Sequence, residues 1–138
     1  MNREEIKHYL PHREPMLLVD EAEVDEQGVC HAQYRIREDE HFCRGHFEGN
    51  PIVPGVILCE IMAQSCALIT KDELAGKTTL YAGINNMKFK HIVRPGDLCE
   101  ITATVTNRRG PLTFCSAELR VDGNLCCKGE LSFALIES

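Results

Sequence analysis

The chain has 138 residues, a formal net charge of −6 and a sequence pI of about 5.5. This length is typical of one domain, so we expect a single domain over residues 1–138. The acidic balance argues against a nucleic-acid-binding protein, because phosphate contacts need clustered lysines and arginines. We expect neither export nor membrane insertion, since no signal-peptide pattern opens the chain and no apolar run is long enough to span a bilayer.

In chain order, hydrophobic periodicity and turn residues predict a short helical turn, two strands, one long helix and four more strands. Their ranges are 3–9, 16–24, 29–36, 56–71, 78–87, 97–107, 112–121 and 125–136. Short turns such as Asp122-Gly123-Asn124 join the last four strands. This order indicates an α+β fold in which an antiparallel sheet of about six strands packs on one very apolar helix.

The eight cysteines favour a reducing, cytoplasmic location over a disulfide framework. The sequence has no C-x-x-C pair, and we expect neither a metal site nor another cofactor. Cys59 and Cys66 are two helical turns apart, roughly 10 Å by helix rise. Together with Cys99 and Cys115 they are interpreted as small apolar packing residues.

The segment 45–70, GHFEGNPIVPGVILCEIMAQSCALIT, joins a glycine- and proline-rich loop to the apolar helix. Between Val56 and Ile69 the only ionisable groups are Glu60 and two cysteines. A carboxyl group on such a helix either finds a partner or has its pKa raised by desolvation. A raised pKa would suit a general acid that works near neutral pH.

His46 lies in the loop that leads into this helix. The first N–H groups of a helix and the positive end of its dipole can hold a developing oxyanion. A base, an acid and an oxyanion site would then lie within one segment, or within two copies of it. The alternative is that His46 is an ordinary solvated loop residue.

The run GHFEGNPIVPGVILCEIMAQ resembles the signature of FabZ-type 3-hydroxyacyl-[acyl-carrier-protein] dehydratases. LPHREPMLLVD at 10–20 and MKFKHIVRPGDLCEI at 87–101 are similar to two flanking motifs of that family, in the same order. The resemblance implies a hotdog fold, in which the sheet wraps the helix. It also implies dehydration of a (3R)-hydroxyacyl chain on acyl carrier protein to the trans-2-enoyl product, in the biosynthesis of fatty acids or related acyl chains, without a cofactor.

Dehydration needs a base for the α-proton, an acid for the departing hydroxyl and a donor to the thioester carbonyl. By resemblance His46 is the base, and Glu60 protonates the hydroxyl directly or through water. The backbone N–H of Gly55 is expected to face the thioester carbonyl. Gln64 lies four residues after Glu60 and on the same helix face, where it can bind a catalytic water or Glu60 itself, or be a buried amide satisfied by the backbone.

The resemblance also places Met16 and Phe89 beside the acyl tunnel, although both are equally consistent with core packing. His12, in the first motif, is interpreted as a structural residue that ties down the N-terminal loop. An acidic carrier protein needs a basic docking patch. The clustered candidates for that patch are Lys88, Lys90, Arg94, Arg108 and Arg109.

The family implies a homodimer in which His46 of one subunit meets Glu60 of the other, or three such dimers together. Three departures from the family pattern concern the tunnel and the partner. Glu48 replaces the usual proline after GHF, and Glu14 stands where an aromatic is common. The pair His91-Ile92 likewise replaces an Arg-Pro or similar pair. Glu60 instead of the Asp of FabA-type enzymes favours dehydration without isomerisation.

Two other functions are consistent with the same scaffold. A hotdog thioesterase would use a helix carboxylate to hydrolyse acyl-CoA. A non-catalytic acyl-thioester binding domain would belong to a regulator, but this short acidic chain has no DNA-binding segment. The histidine loop with its paired prolines favours the dehydratase over both.

Overall fold

A computed structural model describes residues 1–44 and 49–137 of the chain. His46, the predicted catalytic base, and Glu48 therefore lie outside the described residues. The helices and strands are α1 (Arg3–Ile6), β1 (Glu21–Val24), β2 (Cys30–Arg35), α2 (Gly55–Ile69), β3 (Lys77–Phe89), β4 (Leu98–Arg109), β5 (Leu112–Val121) and β6 (Asn124–Glu137). Single 3₁₀ turns at His41–Cys43 and Lys71–Glu73 complete this list. The predicted order of elements is confirmed.

The six strands form one antiparallel sheet in the order β1-β2-β4-β5-β6-β3. Strict alternation of apolar and polar residues in β2 gives alternating buried and exposed side chains, so one face of the sheet turns inward. Helix α2 packs against that face, across β1, β2, β4, β5 and β6. The predicted antiparallel sheet packed on one long apolar helix is therefore confirmed.

The apolar segment before β1 does not belong to the sheet, although the sequence predicted a strand from residue 16. Leu17, Leu18 and Val19 are almost completely buried, but β1 begins only at Glu21. The Gln64 side chain hydrogen-bonds this segment on both sides of Leu17. Its Oε1 accepts from the Leu18 N–H at 2.8 Å and its Nε2 donates to the Met16 carbonyl at 2.8 Å.

All eight cysteines are buried and unpaired, which agrees with the packing role predicted for Cys59, Cys66, Cys99 and Cys115. Burial raises the pKa of Cys30, Cys99 and Cys127 to about 12 in each case. These thiols stay protonated near neutral pH and pack as small apolar groups. Within the described residues, no helix combines the length and the apolar character needed to cross a membrane.

Candidate active site

The Glu60 carboxylate is surrounded by three donors from three parts of the fold. It projects from α2 with 19% of its side chain exposed. One helical turn on, Gln64 Nε2 donates to Glu60 Oε2 at 2.9 Å, and His12 Nε2 of the N-terminal segment lies 3.4 Å from the same oxygen. From β3, the Tyr81 hydroxyl donates to Oε1 at 3.1 Å.

These contacts decide how Glu60 titrates. Burial alone raises the pKa of Glu60, but the hydrogen bonds from His12, Gln64 and Tyr81 outweigh it, and the net pKa lies below its ordinary value. Of the two outcomes that the sequence left open, the structure therefore supports the one in which the carboxyl group finds partners. The alternative, a raised pKa, is therefore wrong, and Glu60 is ionised near neutral pH.

A cavity of about 160 Å³ adjoins this carboxylate. Polar groups of His12, Glu60, Gln64 and Tyr81 lie on its wall. The rest is largely apolar and includes Leu10, Ala63, Ala67, Leu131 and Phe133. Hydrocarbon walls with a few convergent polar groups are typical of a small-molecule site. The arrangement can hold an apolar chain and place a polar atom of that chain against Glu60.

Sequence reasoning missed the two donors that come from outside the helix. His12 was interpreted as structural, yet its Nε2 faces Glu60, and its Nδ1 is buried without a hydrogen-bond partner among the described residues. Its position inside the LPHREPMLLVD motif was the available signal. For Tyr81 no signal existed, because only the closed fold brings β3 to this part of α2.

Gly55 and Phe89 meet at the beginning of α2. Gly55 is the first residue of the helix, where N–H groups lack intrahelical acceptors. A Cβ atom on Gly55 would lie 2.9 Å from Phe89 Cε1, so the phenyl ring rests directly on the glycine. Phe89 itself is 56% exposed. The predicted oxyanion donor and one predicted tunnel residue are therefore neighbours at the surface.

Met16 contacts the site through its backbone, because its carbonyl accepts a hydrogen bond from Gln64 Nε2 at 2.8 Å. Neither Met16 nor Phe89 is among the described residues that line the cavity beside Glu60. Gln64 lines the cavity, binds Glu60 and is also satisfied by the backbone of Met16 and Leu18, so it combines the contact with Glu60 and the backbone contacts that the sequence left open as alternatives. The structure thus joins Glu60 with Gln64 and, separately, Gly55 with Phe89.

The five basic residues predicted as one docking patch fall at opposite ends of the sheet. The first group is Lys88, Lys90 and Arg94, and the second is Arg108 and Arg109. Strand register pairs Lys88 with Lys128, one residue from Cys127, and Lys90 and Arg94 follow in the loop between β3 and β4. Arg109 pairs with Leu112, which pairs with Ala134, roughly 23 Å from Cys127 along β6. The prediction of a single cluster is wrong, because turns that follow one another in sequence alternate between the two ends of an antiparallel sheet.

Sequence comparison identifies the family. Residues 21–130 match the sequence model of the ApeI-like family, described as ApeI dehydratase. A 3-hydroxyacyl-[acyl-carrier-protein] dehydratase FabZ from Clostridium perfringens is 41% identical over 137 residues, which cover 98% of this chain and 99% of the relative. The chain belongs to the FabZ-type dehydratases. A FabZ from Streptococcus pneumoniae is 43% identical over 135 residues, covering 96% of each chain.

Solved structures share the fold of this FabZ-type chain. A dehydratase heterocomplex, ApeI:P from Xenorhabdus doucetiae, has a TM-score of 0.79 at 18% identity and covers 94% of this chain and 89% of that one. A mutant of the fluoroacetyl-CoA-specific thioesterase FlK has a TM-score of 0.70 at 15% identity and covers 86% and 90%. At such identities the likeness concerns the fold alone, and it confirms the hotdog fold.

Proposed function

We propose that this chain removes water from a (3R)-hydroxyacyl group carried on acyl carrier protein and releases the trans-2-enoyl thioester. The reaction would serve the biosynthesis of fatty acids or related acyl chains. Membership of the FabZ-type family supports the proposal. The single structural observation that carries it is the Glu60 carboxylate, held by three donors at the wall of an apolar cavity.

The proposed reaction uses two side chains and one backbone donor. His46 takes the α-proton, the C–O bond to the 3-hydroxyl breaks, and Glu60 supplies the proton that turns the departing hydroxyl into water. The Gly55 N–H holds the thioester oxygen as charge develops on it. The proton on His46 then returns to Glu60 through solvent, so the cycle is balanced.

The lowered pKa of Glu60 bears on when this residue acquires its proton. An ionised carboxylate cannot donate a proton. In the free enzyme near neutral pH, Glu60 therefore does not yet carry the proton that the reaction needs. An acyl chain that displaces water from the cavity would desolvate the carboxylate and raise its pKa. Glu60 therefore takes up its proton as substrate binds, and a bound water can relay that proton to the hydroxyl.

The proposal includes a homodimer, formed along β3. This strand of 13 residues lies at the edge of the sheet and exposes Leu80 and Ile84. A long edge strand with exposed apolar side chains is an aggregation liability unless another chain covers it. Pairing two copies there supports a site shared between His46 of one subunit and Glu60 of the other. A trimer of such dimers is the next larger assembly.

The carrier-protein docking patch is proposed at the Phe89 end of β3. Lys88, Lys90 and Arg94 lie there, and Lys128 stands opposite Lys88 on the neighbouring strand. Exposed lysines and an arginine at the same end of the sheet as the exposed Phe89 ring suit an acidic partner that delivers an acyl chain there. Arg108 and Arg109 are left out, because they lie at the other end and Arg108 is paired with Glu73 at 2.8 Å.

The remaining parts of the proposal are a single domain and a cytoplasmic location. Eight unpaired cysteines support the location, because free thiols are typical of reducing compartments.

One assay tests the reaction type. The protein is incubated with a 3-hydroxyacyl thioester and, separately, with a saturated acyl thioester, while enoyl absorbance and free thiol are followed. Enoyl formation without release of thiol supports dehydration. Release of thiol would instead identify a hotdog thioesterase, and absence of both products would identify a binding domain.

A further inference from the structure

Tyr81 reaches from the edge of the sheet to the candidate carboxylate. It lies in β3, which is the last strand of the sheet, and its ring is about half exposed. Its hydroxyl is 3.1 Å from Glu60 Oε1 and 3.4 Å from the Cys59 carbonyl oxygen. The same side chain lines the cavity beside Glu60. Packing on the strand needs only the ring, so the hydroxyl is the part that calls for an explanation.

The two oxygens of Glu60 are held differently. Oε2 has two neighbours, Gln64 Nε2 at 2.9 Å and His12 Nε2 at 3.4 Å. Among residues 1–44 and 49–137, Oε1 accepts a side-chain hydrogen bond from Tyr81 alone. Loss of the Tyr81 hydroxyl would therefore free one oxygen and leave the carboxylate able to turn about its terminal bond.

The hydroxyl of Tyr81 is a permanent donor. Burial and the neighbouring negative charge of Glu60 raise the pKa of Tyr81 far above its ordinary value, so the phenol keeps its proton throughout the working pH range. The titratable groups that face Glu60 from the described elements are His12 of the N-terminal segment, Tyr81 of β3 and the adjacent Cys59. Of these, Tyr81 is the one bonded to Oε1.

We propose that Tyr81 is a positioning residue for Glu60: its hydroxyl fixes the orientation of the carboxylate at the cavity wall. This inference rests on the proposed function, because it needs Glu60 to take part in the reaction. Tyr81 acts on the substrate only through Glu60, so its loss should affect turnover more than binding.

The test compares wild type with Tyr81→Phe, which keeps the ring and removes only the oxygen. Protein labelled with ¹³C at the glutamate carboxyl carbon is titrated by NMR, and the Glu60 signal is assigned by its absence from Glu60→Gln. Losing a donor to the charged form should raise the pKa of Glu60 by about half a unit to one unit. In steady-state assays kcat should fall several-fold, while KM for the thioester should change less than about twofold.

Tyr9→Phe is the matched control, since Tyr9 is also half-buried but does not line the cavity. It should leave both the Glu60 titration and kcat unchanged. An unchanged Glu60 pKa or an unchanged kcat in folded Tyr81→Phe overturns the positioning role and leaves the proposed function standing. Normal turnover by folded Glu60→Gln overturns the assignment of Glu60, and the role of Tyr81 with it.

Discussion

Gln64 binds Glu60 across one turn of α2 and ties it to the N-terminal segment. Its Nε2 donates to Glu60 Oε2 at 2.9 Å and to the Met16 carbonyl at 2.8 Å, while its Oε1 accepts the Leu18 N–H at 2.8 Å. The amide is almost completely buried, and both its oxygen and its nitrogen form hydrogen bonds. Orientation of the candidate carboxylate is thereby coupled to burial of the apolar segment before β1.

We expect Gln64→Leu to destabilise the protein. The variant leaves the Leu18 N–H and the Met16 carbonyl without their partner, and each unsatisfied buried group costs about 1–3 kcal/mol in the free energy of unfolding. Urea denaturation measures the effect. Gln33→Leu, at an exposed position of β2, is the control and should change stability by less than about 0.5 kcal/mol. Equal effects of the two variants would contradict a tie through Gln64.

Glu60→Gln and His46→Ala should each lower the rate of dehydration at least about a hundredfold, the usual scale for losing a general acid or base. Both variants keep or reduce side-chain volume, so both should fold. The enoyl-absorbance assay measures turnover, and circular dichroism checks the fold. Near-normal turnover by either folded variant would show that the residue has been assigned wrongly.

If each active site takes one catalytic group from each subunit, two inactive variants should restore activity when they form a mixed dimer. In a mixed dimer of His46→Ala and Glu60→Gln chains, one site has lost both groups and the other is intact. With random pairing, co-expression should recover about one quarter of wild-type activity. The mixed dimer is quantified by two different affinity tags. A pool that contains mixed dimers and remains inactive would place both groups in one chain.

Charge reversal at the Phe89 end of β3 should weaken docking of the carrier protein. Lys90→Glu combined with Arg94→Glu should raise KM for the carrier-bound substrate severalfold and leave a pantetheine-linked analogue nearly unaffected. Lys77→Glu combined with Arg109→Glu changes the net charge equally at the other end of the sheet and is the matched control. If both pairs raise KM equally, the effect is one of net charge rather than of a patch.

Glu60 should also give the protein a pH-dependent contribution to stability. Its folded pKa lies below the ordinary value of 4.5, so the ionised form stabilises the fold above that pH. This contribution is lost as the pH falls through the lowered folded pKa. Urea unfolding of wild type and Glu60→Gln between pH 7 and about pH 3 tests the prediction. The stability advantage of wild type should shrink towards acid pH, and a constant difference would contradict it.

The strands and α2 were predictable from local sequence patterns, which are short apolar runs bounded by turn residues for the strands and one longer apolar run after Pro54-Gly55 for α2. The predicted bounds of β5 equal the observed ones, Leu112–Val121, since apolar and polar residues alternate and glycine-containing turns flank the strand. Leu17 and Leu18 were assigned wrongly to a strand because a buried irregular segment has the same composition as a buried strand. What distinguishes them is the Gln64 side chain, which replaces a neighbouring strand as hydrogen-bond partner.

The site was predictable only in part. Glu60 was found because a lone carboxylate on an apolar helix is conspicuous in the sequence. The direction of its pKa shift was not predictable, because it depends on donors such as Tyr81 that are distant in sequence and meet it only after folding. The prediction of a single docking patch was wrong for a related reason. Arg94 and Arg108 both flank turns, but the sequence does not state at which end of the sheet each turn lies.

The buried cysteines can report local unfolding of the chain. Each thiol is shielded in the folded protein, and the set includes Cys30 in β2, Cys66 in α2, Cys99 in β4, Cys115 in β5 and Cys127 in β6. An alkylating reagent added in native buffer can react with a given thiol only while the surrounding structure is locally unfolded. The order in which mass spectrometry detects modified cysteines would rank the elements by local stability, without a single engineered probe.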